Sequence, residues 1–180
     1  MLAITCAAGT IIWGFVVSLV ADRFGPDVGA RFLERGTVIP SMNNAALSAQ
    51  SLSLWLRDSA TARWLRAYRI FVIPLDFIYL LLLGGFLATG ALSCADVIAS
   101  PRALEPCLRA LVIALPILYI VADAVEDLLI VVVLGKSNLV SEGLFSAMRV
   151  ATKAKLIFVS LALVETLALG AWATFGADYG

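Results

Sequence analysis

Five acidic side chains lie inside strongly apolar segments of this sequence. They are Asp76, Asp123, Glu126, Asp127 and Glu165. An ionisable group in hydrocarbon costs roughly 2.5–3.5 kcal/mol on insertion scales, so such groups usually face a protein interior or a watery cavity. We therefore take the five acids as candidate residues of a proton- or cation-binding site.

The spacing of the acids allows them to meet. Asp123 stands three residues before Glu126 and four before Asp127, which places the three carboxyls on neighbouring positions of one helix. We counted the distance of each acid from the charged end of its apolar segment, using the rise per residue of an α-helix. All five acids lie about 9 to 16 Å from these ends, on the same side of the membrane. The sequence therefore predicts a polar site where helices converge, and Lys155, which begins the last apolar segment, is expected to close it.

The chemistry of this site is limited by what the chain lacks. With no histidine and no Cys-x-x-Cys pair, any metal would be a hard, oxygen-seeking ion such as Mg²⁺, Ca²⁺ or Mn²⁺, and we assign neither a metal nor a cofactor. Five acids next to so few basic residues cannot all be ionised and paired. One or more carboxyls are expected to stay protonated at neutral pH, or a bound cation compensates them.

Three functional hypotheses and one structural interpretation remain open. The site binds or passes protons or cations, the chain is an accessory or assembly subunit of a larger membrane complex, or it is a divalent-ion-dependent lipid-modifying enzyme. The residues favour a non-enzymatic protein. In the structural interpretation, protonated acids and the hydroxyls of Tyr79, Tyr119 and Thr166 only hold helices together, at about 0.6 kcal/mol per interaction.

The elements that must position these residues are apolar helices. The chain is 62% hydrophobic and 14% charged, and a span needs about 20 apolar residues. Four segments qualify, at residues 2–20, 70–92, 108–134 and 156–175. We predict an all-α, single-domain membrane protein over residues 1–180, with a bundle of four transmembrane helices.

Basic residues set the predicted orientation. Residues 21–69 contain seven of them and residues 135–155 contain four, whereas both termini have none. Because cytoplasmic loops keep Lys and Arg, these two loops are expected in the cytoplasm of a bacterial inner membrane, with both termini outside. Expected partners are membrane lipid and either further copies of the chain or other membrane subunits. The zero net charge gives no reason to expect nucleic acid.

The first loop and two prolines carry structural predictions. From Ser41 to Tyr68, apolar side chains are mixed with charged ones, mostly arginines, which is typical of an amphipathic helix on the cytoplasmic membrane face with Trp55, Trp64 and Tyr68 at headgroup depth. The alternative is a helix that packs over the bundle. Pro74 and Pro116 are expected to kink their spans.

Two cysteines flank the second loop. A disulfide between Cys94 and Cys107 would lie on the predicted outer side and would contribute up to about 3 kcal/mol by the chain-entropy argument. Two free thiols are the alternative.

Three short motifs resemble those of an uncharacterised family of four-helix bacterial membrane proteins. The matching segments are residues 73–77 (Ile-Pro-Leu-Asp-Phe), 123–127 (Asp-Ala-Val-Glu-Asp) and 152–155 (Thr-Lys-Ala-Lys). The family pattern has asparagine where this chain has Asp127, and an aromatic residue where it has Ile73. The resemblance implies the four-helix topology and the place of the site, without an activity.

Overall fold

The computed structural model describes residues 2–24, 48–58, 62–99, 104–135 and 140–176, and within them all regular structure is helical. In chain order the elements are α1 (Leu2–Phe24), α2 (Ala49–Arg57), α3 (Ala62–Ala67), a π-helical turn (Tyr68–Val72), α4 (Ile73–Ala99), α5 (Pro106–Gly135) and α6 (Glu142–Phe175). The predicted all-α class is confirmed.

Three helical segments of the described residues are long and apolar enough to cross a membrane. They are Ala3–Arg23, Ala62–Ala99 and Glu142–Phe175. The chain is therefore built as a membrane protein. The third predicted span, at residues 108–134, falls on α5, a helix of 30 residues that carries three of the candidate acids. Helix α5 is not among the three segments, so the fourth span stays a prediction.

Two helices extend well beyond the predicted spans. The segment at 70–92 is part of a continuous helical stretch from Ala62 to Ala99, and the segment at 156–175 is part of α6, which begins at Glu142. Apolar composition locates only the hydrocarbon-length part of a helix, whereas local capping sets its end. At the start of α6 the hydroxyl of Ser141 accepts the backbone N–H of Leu144 at 3.2 Å.

The two prolines have different effects. Pro74 follows the π-helical turn, in which the N–H of Ile73 donates to the carbonyl of Tyr68, five residues earlier. Proline has no N–H and crowds the carbonyl four residues before it, so a wider turn at this point relieves both problems. Pro116 is buried inside α5, and the helix continues through it.

Helix α4 is the central element, in contact with α1, α5 and α6. Helix α1 lies antiparallel to it, since Gly9 faces Leu82 and Gly14 faces Tyr79. The indole Nε1 of Trp13 donates to the carbonyl of Leu75 at 2.9 Å and fixes this alignment.

Helix α5 reverses direction and α6 reverses again. A Cβ atom on Gly84 of α4 would overlap the side chain of Ile120, so glycine permits a close approach of α4 and α5. Lys155 of α6 meets Asp123 of α5, and Thr152 meets Glu126, which is the order of an antiparallel pair. Helices α1 and α5 thus run one way, and α4 and α6 run the other.

One end of the molecule is closed by an apolar cluster, here called the α2-end cluster. Its buried members are Ala49, Leu52, Leu56, Leu65, Tyr68, Val72, Ile73, Ile130, Val133, Phe145 and Met148. Helix α2 contributes three of these at helical spacing, while Leu54 and Trp64 remain exposed on the outside. An amphipathic helix buries one face in this way.

The prediction for the first loop needs correction at its C-terminal end. Ser41 lies outside the described residues, α2 ends at Arg57, and Trp64 belongs to the helical stretch that leads into α4. Tyr68 is buried in the α2-end cluster, not exposed at headgroup depth. The prediction assigned residues 59–69 to the loop because they mix apolar and basic side chains. In the structure, the helix that begins at Ala62 continues into α4.

The three cysteines are free, so the bridge considered between Cys94 and Cys107 is absent. Cys94 faces α6, where its sulfur lies 3.8 Å from the position of a Cβ on Gly170. Cys107 is exposed in the first turn of α5. At this end of the molecule α4 and α5 are joined instead by the exposed ion pair Arg109–Asp96, at 2.8 Å.

Candidate functional site

Three aspartates from two helices converge below the α2-end cluster. Carboxylate oxygens of Asp76 on α4 and of Asp123 and Asp127 on α5 all lie within 4.8 Å of one another. Asp123 and Asp127 are one helical turn apart, which places both carboxyls on the same face of α5. The close approach of α4 at Gly84, about two turns along the helix from Asp76, brings the third carboxyl to them.

Lys155 neutralises two acids of α5. Its Nζ lies 2.8 Å from Asp123 Oδ1 and 2.8 Å from Glu126 Oε2. The contact with Glu126 is a hydrogen bond, and the contact with Asp123 is an ion pair. Thr152, one turn before Lys155, donates to Glu126 Oε1 and also lies 3.0 Å from the carbonyl of Met148. Glu126 is thus held on both carboxylate oxygens.

Asp127 differs from its neighbours. It is 2% exposed, and its Oδ2 has no hydrogen-bond partner among the residues that the structure describes. A buried polar atom left without a partner costs about 1–3 kcal/mol, and more when it is charged. Such an atom, beside two further carboxyls, indicates a place where a proton or a bound ion completes the site.

A cavity of about 600 Å³ adjoins the aspartates. All four long helices line it. Its polar lining consists of Ser18, Asp76, Asp123, Lys155 and the tyrosines Tyr68, Tyr79 and Tyr119, and its apolar lining includes Val17, Val72, Leu83, Leu156 and Val159. Tyr119 is buried and its phenol hydrogen-bonds to Asp123. The cavity is therefore lined by carboxylates, the ammonium group of Lys155 and phenols together with aliphatic side chains.

Sequence reasoning missed two of these residues, although a signal existed for each. Tyr68 begins a stripe of cavity-lining residues at positions 68, 72, 76, 79 and 83. Their spacing of four, four, three and four is helical, and the first two of them belong to the π-helical turn. Thr152 stands three residues before Lys155 and therefore on the same face of α6.

Glu165 does not join the other acids. It lies ten residues beyond Lys155 on α6, about 15 Å at helical rise, and it is absent from the cavity lining. Its Oε2 is also without a hydrogen-bond partner among the described residues. The structure thus brings together Asp76, Asp123, Glu126, Asp127 and Lys155 of the predicted set, and separates Glu165.

The arrangement has the donor set of a hard cation. Oxygens on opposite sides of Ca²⁺, with bonds of roughly 2.3–2.6 Å, are about 4.6–5.2 Å apart, so oxygens within 4.8 Å can reach one such ion. Among the residues that the structure describes, Asp76, Asp123, Glu126 and Asp127 bring four carboxyls to the site, and Lys155 brings an ammonium group. A cation, or protons, would reduce this imbalance of charge.

Comparisons with models of known protein families, with curated proteins and with solved structures found no match for this chain. The resemblance carried by the three short motifs stays a prediction.

Proposed function

We propose that the chain is an integral membrane protein in which α1, α4, α5 and α6 all span the bilayer, and that it binds a small hard cation, or protons in its place, at Asp76, Asp123 and Asp127. The observation that carries the proposal is the buried Oδ2 of Asp127, without a hydrogen-bond partner among the described residues and next to two other carboxyls.

The position of basic residues supports one orientation. Among the described residues, Arg109 stands alone at the end opposite α2, whereas the α2 end has seven exposed or partly exposed basic residues. These are Arg23, Arg57, Arg63, Arg66, Arg69, Arg149 and Lys153. By the positive-inside rule the α2 end faces the cytoplasm. Helix α2, with Leu54 turned outward, then lies at the cytoplasmic interface as an amphipathic element.

Lys155 does not complete the site by itself. Its ammonium group contacts Asp123 and Glu126, whereas Asp127 Oδ2 has no hydrogen-bond partner among the described residues. A divalent ion at the three aspartates, or a proton on Asp127, would compensate the negative charge at this position. Binding and release of either species at this depth is the step that a proton- or cation-handling membrane protein requires.

The test compares the wild-type chain with Asp127→Asn in lipid nanodiscs. Thermal stability is measured from pH 5 to pH 9, with and without Ca²⁺ or Mg²⁺. A ligand that binds only the folded state stabilises it by about 2.7 kcal/mol at one hundred times its dissociation constant, so the melting temperature of wild type should rise with saturable dependence on the ion. A response to pH alone would identify protons as the bound species. Asn keeps the size of the side chain and removes its charge, so Asp127→Asn should lose the response.

Glu165→Gln is the matched control, because it also removes a carboxyl from a long helix but lies outside the site. It should respond as wild type does. If wild type and Asp127→Asn respond identically to ions and to pH, the proposal is wrong and partner subunits become the next place to look.

A further inference from the structure

The two ends of the molecule differ in whether their basic side chains have acidic partners. At the end opposite α2, Arg109 forms an ion pair with Asp96. At the α2 end, seven basic side chains form no ion pair with any residue that the structure describes: Arg23, Arg57, Arg63, Arg66, Arg69, Arg149 and Lys153. The exposed acids described at this end are fewer: Asp22, Asp58 and Glu142. The surface of the α2 end is therefore positively charged.

Two of these arginines lie on the outer side of the helical stretch that leads into α4. Leu65, Tyr68 and Val72 turn the inner side of this stretch into the α2-end cluster. Arg63 and Arg66 are exposed, and their spacing of three residues places them next to each other on the helix surface. Their guanidinium groups are thus available to a partner outside the chain.

Large apolar side chains are exposed on the same helical stretch. Trp64 is 43% exposed, and Ile70 and Phe71 are each 51% exposed. The guanidinium group of Arg63 lies over the ring of Trp64, 5.9 Å from its centroid. This contact uses the flat face of the guanidinium group and leaves its N–H groups, which lie in the plane, free to donate.

The positions of the two arginines along the helix match the headgroup layer of a bilayer. Ile70 begins the apolar segment at residues 70–92, and Arg66 and Arg63 precede it by four and seven residues. At helical rise these separations are about 6 and 10 Å. The headgroup layer is roughly 5–8 Å thick on each side of the hydrocarbon. Arg66 therefore lies within this layer, and Arg63 lies at its outer edge.

Positive charge alone would suit any anionic partner, so the apolar side chains decide which one fits. A phospholipid contacts both kinds of side chain, because its phosphate accepts from guanidinium groups while its acyl chains cover Trp64, Ile70 and Phe71. A nucleic acid or an acidic soluble protein would satisfy the arginines and leave these apolar side chains uncovered.

We propose that the outer side of residues 63–71 binds anionic phospholipids in preference to zwitterionic ones, with the phosphate held by Arg63 and Arg66. The carboxyls of the proposed cation site take no part in this interaction. The two proposals therefore stand or fall separately.

The experiment measures lipid selectivity by electron paramagnetic resonance, with the full chain in phosphatidylcholine vesicles that contain a trace of spin-labelled lipid. The label is carried by anionic phosphatidylglycerol or by zwitterionic phosphatidylcholine, and the motionally restricted fraction gives their relative association constant. A basic residue at an anionic membrane surface strengthens association about fivefold. Averaged over all lipids that contact the chain, wild type should favour phosphatidylglycerol at least twofold. Equal association of the two lipids would overturn the proposal.

Variants of the two arginines test the location. The double change Arg63→Gln with Arg66→Gln should remove at least half of the preference, whereas Arg63→Lys with Arg66→Lys keeps the charge and should keep most of it. All four substitutions are at exposed positions, where the fold tolerates them. Arg109→Gln is the control at the opposite end and should leave the preference unchanged. A preference that survives the double change to glutamine would also overturn the proposal.

Discussion

At the scale of single residues, two adjacent acids of α5 differ in their contacts. Glu126 accepts from Lys155 on one oxygen and from Thr152 on the other, while Asp127, the next residue, has an oxygen without a hydrogen-bond partner among the described residues. The two carboxyls have different surroundings because successive residues project from a helix in different directions.

Lys155→Met should be strongly destabilising, because it leaves Asp123 and Glu126 buried without their counter-charge. The expected loss is about 3–5 kcal/mol in the free energy of unfolding, measured in mixed micelles. The double change Lys155→Met with Glu126→Gln should cost less than the single change, since one buried charge is removed along with its partner.

Lys153→Met serves as the control for that experiment. Lys153 is exposed, two residues away on the same helix, so its replacement should change the free energy of unfolding by less than about 0.5 kcal/mol. Equal effects at residues 153 and 155 would mean that the ion pair does not form.

At the scale of elements, the close contact of α4 with α5 decides whether Asp76 reaches the other aspartates. Two neighbouring glycines of α4 differ in what they face. A Cβ on Gly84 would overlap Ile120 of α5, whereas a Cβ on Gly85 would meet only the sulfur of Cys6, at an ordinary 3.8 Å.

Gly84→Ala should therefore destabilise the chain by about 1–3 kcal/mol, the usual cost of overpacking, and should weaken any cation response by moving Asp76. Gly85→Ala is the same substitution at the neighbouring position, and it should be neutral or stabilising because alanine favours the helix by up to about 1 kcal/mol over glycine. Thermal melts of both variants with and without Ca²⁺ provide the comparison. A variant at Gly84 that is as stable as the one at Gly85 would contradict the close contact.

The sequence predicts the helices better than their ends. Each of the four predicted apolar segments falls within a long helical stretch, and three of these stretches are long and apolar enough to span a membrane. The spacing from Asp123 to Asp127 places both carboxyls on one face of α5. The start of α6 at Glu142 and the joining of Tyr68 to α4 were missed because both stretches contain charged residues, so hydropathy falls although the helix continues. Glu165 was grouped with the other acids because its depth was counted from Lys155 as the start of a span. Lys155 instead lies level with Asp123 and Glu126, so Glu165 lies about 15 Å further along α6.

At the scale of the whole molecule, the two ends differ in their charge and in the side chains that lie there. The α2 end has the apolar cluster and most basic residues, and the opposite end has the Arg109–Asp96 pair and the exposed Cys107. The proposed orientation therefore predicts which thiol is accessible from outside the cell.

A chain in which Cys6 and Cys94 are replaced by alanine should react through Cys107 with a membrane-impermeant maleimide in intact bacterial spheroplasts. A second chain without native cysteines and with Gln50→Cys on α2 should react only after the membrane is permeabilised, because residue 50 is exposed at the cytoplasmic end. A shift in gel mobility after labelling reports both reactions. The reverse pattern would invert the proposed topology.

The packing of α1 has a consequence for how the chain is made. None of the side chains described for α1 is buried, and its main neighbour, α4, begins at Ile73, about fifty residues after α1 ends. In the proposed topology, α1 enters the bilayer during synthesis before any neighbouring helix exists, and its apolar surface suits a helix that is still surrounded by lipid. The buried charges of α5 have no such freedom, because they need α6 and its lysine. Insertion of α5 should therefore wait for α6, so that the two helices leave the insertion machinery as a pair.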